Sequence, residues 1–134
     1  MKILLTGAGG LLGTSILNSC GYDIYPTRLD IRNREGVGKL VKEISPDVII
    51  HTAALTNVDY CETHKKEAWD VNVRGTRNIA EASRLVNSKM VYISTDYVFD
   101  GEQGTYLEYD RPNPINYYGE TKYGGGKSRA GVMQ

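Results

Sequence analysis

The chain has 134 residues, and its 16 basic and 16 acidic side chains give a formal net charge of zero. This length supplies one domain with a core and is too short for two ordinary domains. The hydrophobic fraction of 40% and the charged fraction of 24% are typical of a soluble globular protein, and no basic patch or RNA-reading aromatic motif indicates a nucleic-acid partner.

The N-terminal residues 1–6, MKILLT, are apolar and lead directly into glycines, which predicts a buried parallel strand followed by a turn. Residues 9–21, GGLLGTSILNSCG, predict a helix with Leu12, Ile16 and Leu17 on one face and Gly21 as its C-terminal stop. The N-terminal apolar run is too short for a membrane span, and it lacks the long apolar region of a signal peptide.

Two cysteines, Cys20 and Cys61, stand alone, with no CxxC pair and no cluster of metal ligands. Isolated cysteines suit a reducing compartment. We therefore expect a cytoplasmic protein that holds no metal and does not bind a membrane.

A second strand is predicted around residues 23–27, where Pro26 indicates a strand end or an edge position. The run LDI, residues 29–31, predicts a third extended piece. Residues 34–45, REGVGKLVKEIS, predict a helix that ends before a proline. Its apolar side chains recur at i, i+3, i+4 and i+7: Val37, Leu40, Val41 and Ile44.

The strongest strand signal is DVIIHTAA, residues 47–54, and KMVYIST, residues 89–95, predicts another buried strand. A long helix is predicted between them, over roughly residues 65–86. Its buried side is expected to contain Trp69, Val73, Ile79, Ala80 and Val86. The loop at 96–116 is about twenty residues long, and loops of that length in compact domains are typically functional.

Strands that alternate with helices predict an α/β chain with a Rossmann-like, doubly wound parallel sheet and right-handed crossovers. A complete fold of this kind needs two βαβαβ halves. This chain supplies one half and the first strand of the next, so we expect an incomplete sheet with an exposed apolar edge and face. A second copy of the chain or another partner chain would cover them.

The loop TGAGGLLG, residues 6–13, places Gly7, Gly10 and Gly13 between the first strand and the first helix. Glycines there allow a tight turn, and the helix N-terminus offers free N–H groups to a pyrophosphate. Dinucleotide binding is the favoured interpretation, and a glycine-rich turn without a ligand is the alternative. No Lys-Ser/Thr pair follows the loop, which disfavours a P-loop nucleotidase.

The residue about 20 positions after the glycine loop distinguishes NAD from NADP in such sites. Counting on from Gly7 reaches Arg28, a cation suited to the 2′-phosphate of NADP(H). Asp30 lies close enough to keep NAD(H) as the second choice. We therefore favour NADP(H) as the cofactor.

Two Tyr-x-x-x-Lys pairs follow the long loop: Tyr118 with Lys122, and Tyr123 with Lys127. Residues four apart share one face of a helix, so either pair could act together. The pattern is weak in a chain with ten tyrosines. The three consecutive glycines at 124–126 disfavour a helix, so we interpret the second pair as a coincidence.

Four stretches together resemble the extended short-chain dehydrogenases/reductases, and more narrowly the dTDP-4-dehydrorhamnose reductase family. They are TGAGGLLG, HTAALTNVDYCE at 51–62, STDYVFDG at 94–101 and YGETK at 118–122. All four stand in the order and spacing of that family. The resemblance implies that residues 1–134 are an NAD(P)-binding Rossmann-type domain, truncated, without the C-terminal substrate lobe. The tail after Lys122 looks unlike the family.

The resemblance also implies roles for individual residues. Thr95 matches the catalytic hydroxyl, Tyr118 the proton donor, and Lys122 a partner that would lower the pKa of Tyr118 and hold the cofactor ribose. Val58 and Tyr97, with Thr95, would contact the substrate. The cofactor-binding set comprises Gly7, Gly10, Leu11, Leu12, Gly13, Arg28, Asp30, Ile31, Ala53, Ala54, Tyr118 and Lys122.

Other polar residues have plainer interpretations. Asn72 matches a family residue that supports helix packing. His51 is expected to be a satisfied core histidine, and His64 to lie at a solvated helix start. From spacing alone, Thr95 could be a strand-end residue that satisfies backbone groups.

The implied reaction is NADPH-dependent reduction of the 4-keto group of a dTDP-linked 6-deoxysugar, a nucleotide-sugar substrate. Two alternatives stay open. One is a non-catalytic NADP-binding partner subunit of the same fold, and the other is a nucleotide-sugar epimerase or dehydratase. The motif STDYVFDG disfavours the epimerase interpretation.

Overall fold

The computed structural model describes residues 1–19 and 21–128, so the prediction that Cys20 is an isolated cysteine lies outside the described residues. Its strands are β1 (Lys2–Thr6), β2 (Asp23–Thr27), β3 (Val48–His51) and β4 (Lys89–Tyr92). Its α-helices are α1 (Leu11–Ser19), α2 (Arg34–Ile44), α3 (Val58–Thr63), α4 (Lys65–Trp69), α5 (Thr76–Leu85) and α6 (Tyr117–Lys127). A π-helical segment (Asp70–Gly75) joins α4 to α5, and a 3₁₀ turn (Asp96–Val98) follows β4.

The four strands form one parallel sheet in the order β2-β1-β3-β4. This confirms the predicted α/β, Rossmann-like sheet. The prediction for Pro26 is also correct, because β2 is an edge strand and Pro26 pairs there with Leu5. An edge strand tolerates a residue that has no backbone N–H to donate.

The core lies between the sheet and the helices α2 and α5. Leu4, Ile49 and Met90 are buried on neighbouring strands, and the register pairs Leu4 with Ile49 and Ile49 with Met90. Val37 of α2 and Ile79 of α5 belong to the same buried cluster. The predicted apolar stripe of α2 therefore faces the sheet.

The opposite face of the sheet has less cover. Side chains alternate along a strand, so Val91 of β4 points away from Met90, and Val91 is 45% exposed. Right-handed crossovers place α1 on this face. Within α1 only Gly13 is buried, and Leu12 is 44% exposed.

Residues 29–31 do not form the predicted third extended piece. The Asp30 carboxylate accepts a hydrogen bond from the Arg32 backbone N–H at 3.0 Å, which turns the chain. Asn33 then caps α2, since its side chain accepts from the Gly36 N–H at 3.0 Å. Local side-chain hydrogen bonds therefore replace strand pairing here.

The long helix predicted over 65–86 is three consecutive segments, α4, the π-helical segment and α5. Val73, Ile79 and Ala80 are buried as predicted. Trp69 is 41% exposed, so its predicted burial is wrong. The π-helical stretch changes the number of residues per turn, and a stripe extrapolated at 3.6 residues per turn loses its register across it.

Helix α6 continues through Gly124, Gly125 and Gly126 to Lys127, contrary to our expectation that these glycines resist a helix. A Cβ on Gly125 would overlap the carbonyl oxygen of Asn72. The glycine thus lets α6 pack directly on the backbone of the π-helical segment, and this packing offsets the low helix propensity.

The second Tyr-Lys pair also shares one face of α6. The Lys127 Nζ lies 4.2 Å from the centre of the Tyr123 ring, which is the geometry of a cation–π contact. Our reason for interpreting this pair as a coincidence, that the glycines disfavour a helix, is therefore wrong. The pair lies on the exposed side of the helix, where Lys127 is open to solvent.

We predict that Gly125→Ala and Gly126→Ala change stability in opposite directions. Gly125→Ala forces a methyl group into the Asn72 carbonyl and should lower the free energy of unfolding by about 1–3 kcal/mol. Gly126→Ala places its Cβ 3.5 Å from a Tyr92 ring carbon, an ordinary contact, and should raise it by up to about 1 kcal/mol. Urea denaturation measures both changes. Equal effects of the two substitutions would contradict the packing argument.

Candidate active site

A cleft of about 360 Å³ opens where β1, β2 and β3 end. Ligands of open α/β sheets bind beyond the carboxyl ends of the strands. The cleft is lined by Gly7, Gly9, Gly10, Arg28, Leu29, Asp30, Ile31, Thr52, Ala53, Ala54 and Val71. Seven of these belong to the predicted cofactor set: Gly7, Gly10, Arg28, Asp30, Ile31, Ala53 and Ala54.

Gly7 lines this cleft at a point where two backbone segments approach each other closely. Its φ of +70° is in the left-handed region that glycine adopts without strain. A Cβ at this position would lie 2.6 Å from the backbone nitrogen of Ala53. The Thr52 hydroxyl donates to the Thr6 carbonyl at 2.7 Å. The chain segments that follow β1 and β3 are therefore held side by side.

The remaining predicted glycine-loop residues lie at the start of α1. Leu11 and Leu12 are exposed in its first turn, and Gly13 is buried against Gly7 and Ala8. None of the three lines the cleft itself. The first turn of a helix leaves backbone N–H groups without intrahelical partners, and α1 begins next to Gly10.

Two arginines lie at the rim of the cleft, and they have different neighbours. The Arg32 guanidinium binds the Asp30 carboxylate, with its closest nitrogen at 2.7 Å, and these hydrogen bonds lower the pKa of Asp30. Arg28 lines the cleft and lies beside Gly9. The acid that favoured NAD(H) is thus already engaged by Arg32.

Thr95, Tyr97 and Tyr118 come together at the end of β4. The Thr95 hydroxyl accepts from the Tyr97 N–H at 3.3 Å and donates to Asp96 at 3.1 Å. The Tyr97 and Tyr118 rings meet edge to face, with centroids 6.1 Å apart. Burial raises the pKa of the Tyr118 phenol, and the nearby Thr95 side chain opposes that rise.

Lys122 lies one turn after Tyr118 on α6 and is buried. Its Nζ lies 4.5 Å from the centre of the Tyr92 ring. Burial lowers its pKa to about 8. The pKa of Tyr118 is raised, with burial as the largest influence, and the lowering expected from Lys122 stays a prediction.

Val58 begins α3 and packs on the cluster formed by Cys61, Ala68 and Tyr118. Sequence reasoning did not predict α3 as a helix. Asn57 is its N-cap, and its side chain accepts a hydrogen bond from the Tyr60 N–H at 2.9 Å. Asn is a preferred N-cap residue, so Asn57 could have indicated the start of this helix. The structure therefore places Val58 in the packed cluster that contains Tyr118.

His51 lies beneath the site and is paired through both ring nitrogens. Nδ1 lies 2.7 Å from the Thr6 hydroxyl, and Nε2 lies 3.0 Å from the Thr76 hydroxyl. Burial, followed by the charge of Lys122, lowers the His51 pKa to about 3. The interpretation as a satisfied core histidine is confirmed. His64 is exposed at the start of α4, as predicted.

Within residues 1–19 and 21–128, no three His, Cys, Asp or Glu side chains are arranged to hold a metal ion. Among the same residues, no helix combines the length and apolar character needed to cross a membrane.

The sequence matches the family described as RmlD substrate binding domain over residues 1–130. The dTDP-4-dehydrorhamnose reductase of Aggregatibacter actinomycetemcomitans is 40% identical over 129 residues, which cover 90% of this chain and 44% of that protein. The methionine adenosyltransferase 2 subunit beta of Bos taurus is 34% identical over 140 residues, 95% of this chain and 42% of that protein.

A similar solved structure is the dTDP-4-dehydrorhamnose reductase of Bacillus anthracis in complex with NADP. It superposes with a TM-score of 0.95 at 44% identity and covers 98% of this chain and 50% of that one. The UDP-glucose 4-epimerase of Thermus thermophilus, at 24% identity and a TM-score of 0.84, shows the shared fold. The chain spans half or less of the length of these relatives.

We predict that Lys122→Met stabilises the protein at pH 7. The folded-state pKa of about 8 lies below the ordinary value of 10.5, so the folded state disfavours the charged lysine at neutral pH. The wild-type free energy of unfolding should rise between pH 8 and pH 10.5, and Lys122→Met should remove that rise. The gain at pH 7 is up to about 3 kcal/mol.

Urea denaturation at several pH values measures these changes. Lys127→Met, an exposed lysine of the same helix, is the control and should keep the wild-type pH dependence. A Lys122→Met protein that is less stable than wild type at pH 7 would contradict the burial argument.

Proposed function

Since this chain belongs to the RmlD substrate-binding domain family, we propose that it supplies the NADP(H)-binding part of a reductase. The substrate is a dTDP-linked 4-keto-6-deoxysugar, and the reaction reduces the 4-keto group to an alcohol. The observation that carries the proposal is the cleft in which seven residues of the predicted cofactor set converge. We further propose that the protein acts in the cytoplasm.

The residues of the cleft fit a dinucleotide. Gly7 keeps the floor free of a side chain that would meet Ala53, which allows a pyrophosphate to approach the backbone. The first turn of α1 directs N–H groups toward such an anion. Arg28 would bind the 2′-phosphate, Asp30 and Ile31 would contact the adenine side, and Ala53 and Ala54 would lie along the nicotinamide ribose.

The residues around Tyr118 suit proton transfer to an alkoxide. When bound, NADPH supplies a hydride to the carbonyl carbon of the sugar. Tyr118 would give its phenolic proton to the oxygen that becomes negative. A tyrosine phenol is protonated at neutral pH even at its ordinary pKa of about 10, and burial, which raises the pKa of Tyr118, disfavours the phenolate. The Thr95 hydroxyl orients the same oxygen by a hydrogen bond. Val58 and Tyr97 would contact the sugar.

Lys122 would bind the hydroxyl groups of the nicotinamide ribose. Its ammonium lies on the Tyr92 ring, and its carbonyl oxygen accepts from the Tyr92 hydroxyl at 2.8 Å. With a pKa of about 8, it is mostly protonated at neutral pH. A positive charge that approaches Tyr118 would stabilise the phenolate left after proton transfer.

A second candidate function is a non-catalytic NADP-binding subunit of an assembly. The similarity to methionine adenosyltransferase 2 subunit beta over 95% of the chain favours it, and the exposed Val91 face of the sheet is suited to a partner chain or a second copy. NADPH binding without oxidation in the assay described next would favour this function over the reductase.

We predict that the protein oxidises NADPH when a dTDP-4-keto-6-deoxysugar is present. Tyr118→Phe should lower kcat by about 10²–10⁴-fold, since it removes the proton donor, and Thr95→Val should lower kcat as well. Tyr123→Phe is the matched control, because Tyr123 begins the second Tyr-x-x-x-Lys pair of α6. Stopped-flow absorbance at the nicotinamide band measures the rate. Equal rates for Tyr118→Phe and Tyr123→Phe would contradict the assignment.

We predict that Arg28→Ala weakens NADPH binding and leaves NADH binding unchanged, because only NADPH carries the 2′-phosphate. Loss of one charge-assisted contact should raise the Kd for NADPH by about 10-fold to 100-fold. Arg34→Ala is the control, since Arg34 binds Glu81 at 3.0 Å and does not line the cleft. Calorimetric titration gives each Kd. A parallel loss of NADH affinity would contradict the role of Arg28.

A further inference from the structure

The 3₁₀ turn that follows β4 lies directly on the start of α6. A Cβ on Gly119 would overlap the carbonyl oxygen of Tyr97, so the backbones of the two elements are in contact. The Tyr97 ring meets the edge of Tyr118 at a centroid distance of 6.1 Å. A displacement of Tyr97 would therefore change the surroundings of the Tyr118 phenol.

Asp100 fixes the chain immediately after this turn. One carboxylate oxygen accepts from the Tyr106 hydroxyl at 2.5 Å and from the Glu102 N–H at 3.0 Å. The other oxygen accepts from the Asn113 side-chain amide at 3.0 Å. The Tyr106 ring also stacks on Phe99, with centroids 4.3 Å apart.

Asn113, at the other end of the loop, is also hydrogen-bonded to the 3₁₀ turn. Its backbone N–H donates to the carbonyl of Val98, within the 3₁₀ turn, at 2.8 Å. The side chains of Asp100, Tyr106 and Asn113 thus form a clasp that closes residues 101–112 at their base. These hydrogen bonds hold the pKa of the Asp100 carboxyl at about 2, so the carboxylate stays ionised at every ordinary working pH.

We propose that Asp100 is a positioning residue for the candidate active site, acting through the clasp on Tyr97 and, through Tyr97, on Tyr118. Asp100 contacts neither the cofactor cleft nor Tyr118. Its expected effect on sugar binding rests on the proposed function, whereas its effect on the surroundings of Tyr118 does not.

Three variants separate the clasp from general loop damage. Asn113→Asp sets a second carboxylate against Asp100 and should open the clasp. The double variant Asp100→Asn with Asn113→Asp reverses the direction of the amide–carboxylate hydrogen bond and restores it at unchanged charge. Glu108→Ala removes a carboxylate of the same loop that takes no part in the clasp.

The first readout is the titration of Tyr118, followed by NMR with ring-labelled tyrosine and assigned with Tyr118→Phe. An opened clasp admits water to the phenol, so Asn113→Asp should move the raised Tyr118 pKa toward its ordinary value of about 10. The double variant and Glu108→Ala should titrate like wild type. Identical titrations in all four proteins would overturn the proposal.

The second readout is NADPH oxidation. Asn113→Asp should raise the KM for the sugar nucleotide about tenfold at an unchanged Kd for NADPH, and the double variant should return the KM to within about threefold of wild type. An unchanged KM, or an equal loss of NADPH affinity, would overturn the positioning role. If the wild type does not oxidise NADPH, the proposed function fails, and the Tyr118 titration still decides the role of Asp100.

Discussion

The buried side-chain amide of Asn72 is the interaction on which the position of the candidate site depends. Its oxygen accepts from the Leu55 N–H at 2.8 Å, and its nitrogen donates to the Leu55 carbonyl at 2.9 Å and to the Thr121 hydroxyl at 3.0 Å. A buried amide without partners would be costly. Satisfying this one side chain therefore fastens the segment after β3 and helix α6 to the same point of the π-helical segment.

The backbone of Asn72 contacts α6, as its side chain does. Gly125 lies against the Asn72 carbonyl, and the Thr121 hydroxyl donates a hydrogen bond to the Tyr118 carbonyl at 2.8 Å. Tyr118 and Lys122 are thereby both carried into the protein on the inner face of one helix. The π-helical segment supplies this attachment, in keeping with the frequent occurrence of π-helical turns at functional sites.

Sequence reasoning correctly predicted the elements whose signals are local in the sequence. The apolar runs of β1, β3 and β4, the edge position of Pro26 and the cleft around Gly7 follow from patterns that few neighbours can change. It failed where a contact between residues far apart in the sequence determines the structure. The glycines of α6 form a helix because of Asn72, which lies more than fifty residues away, and the burial of Lys122 comes from the same packing. Single-residue propensities contain no information about such contacts.

Burial also determines the acid–base chemistry available at the site. The layer beneath it is neutral, because His51 is desolvated and hydrogen-bonded by Thr6 and Thr76. The ammonium of Lys122 faces the Tyr92 ring in that layer, and a ring is a weaker partner than an oxygen ligand. A hydroxyl-rich group placed near Lys122 would therefore relieve its desolvation and raise its pKa. We therefore expect ligand binding and the charge of Lys122 to be coupled.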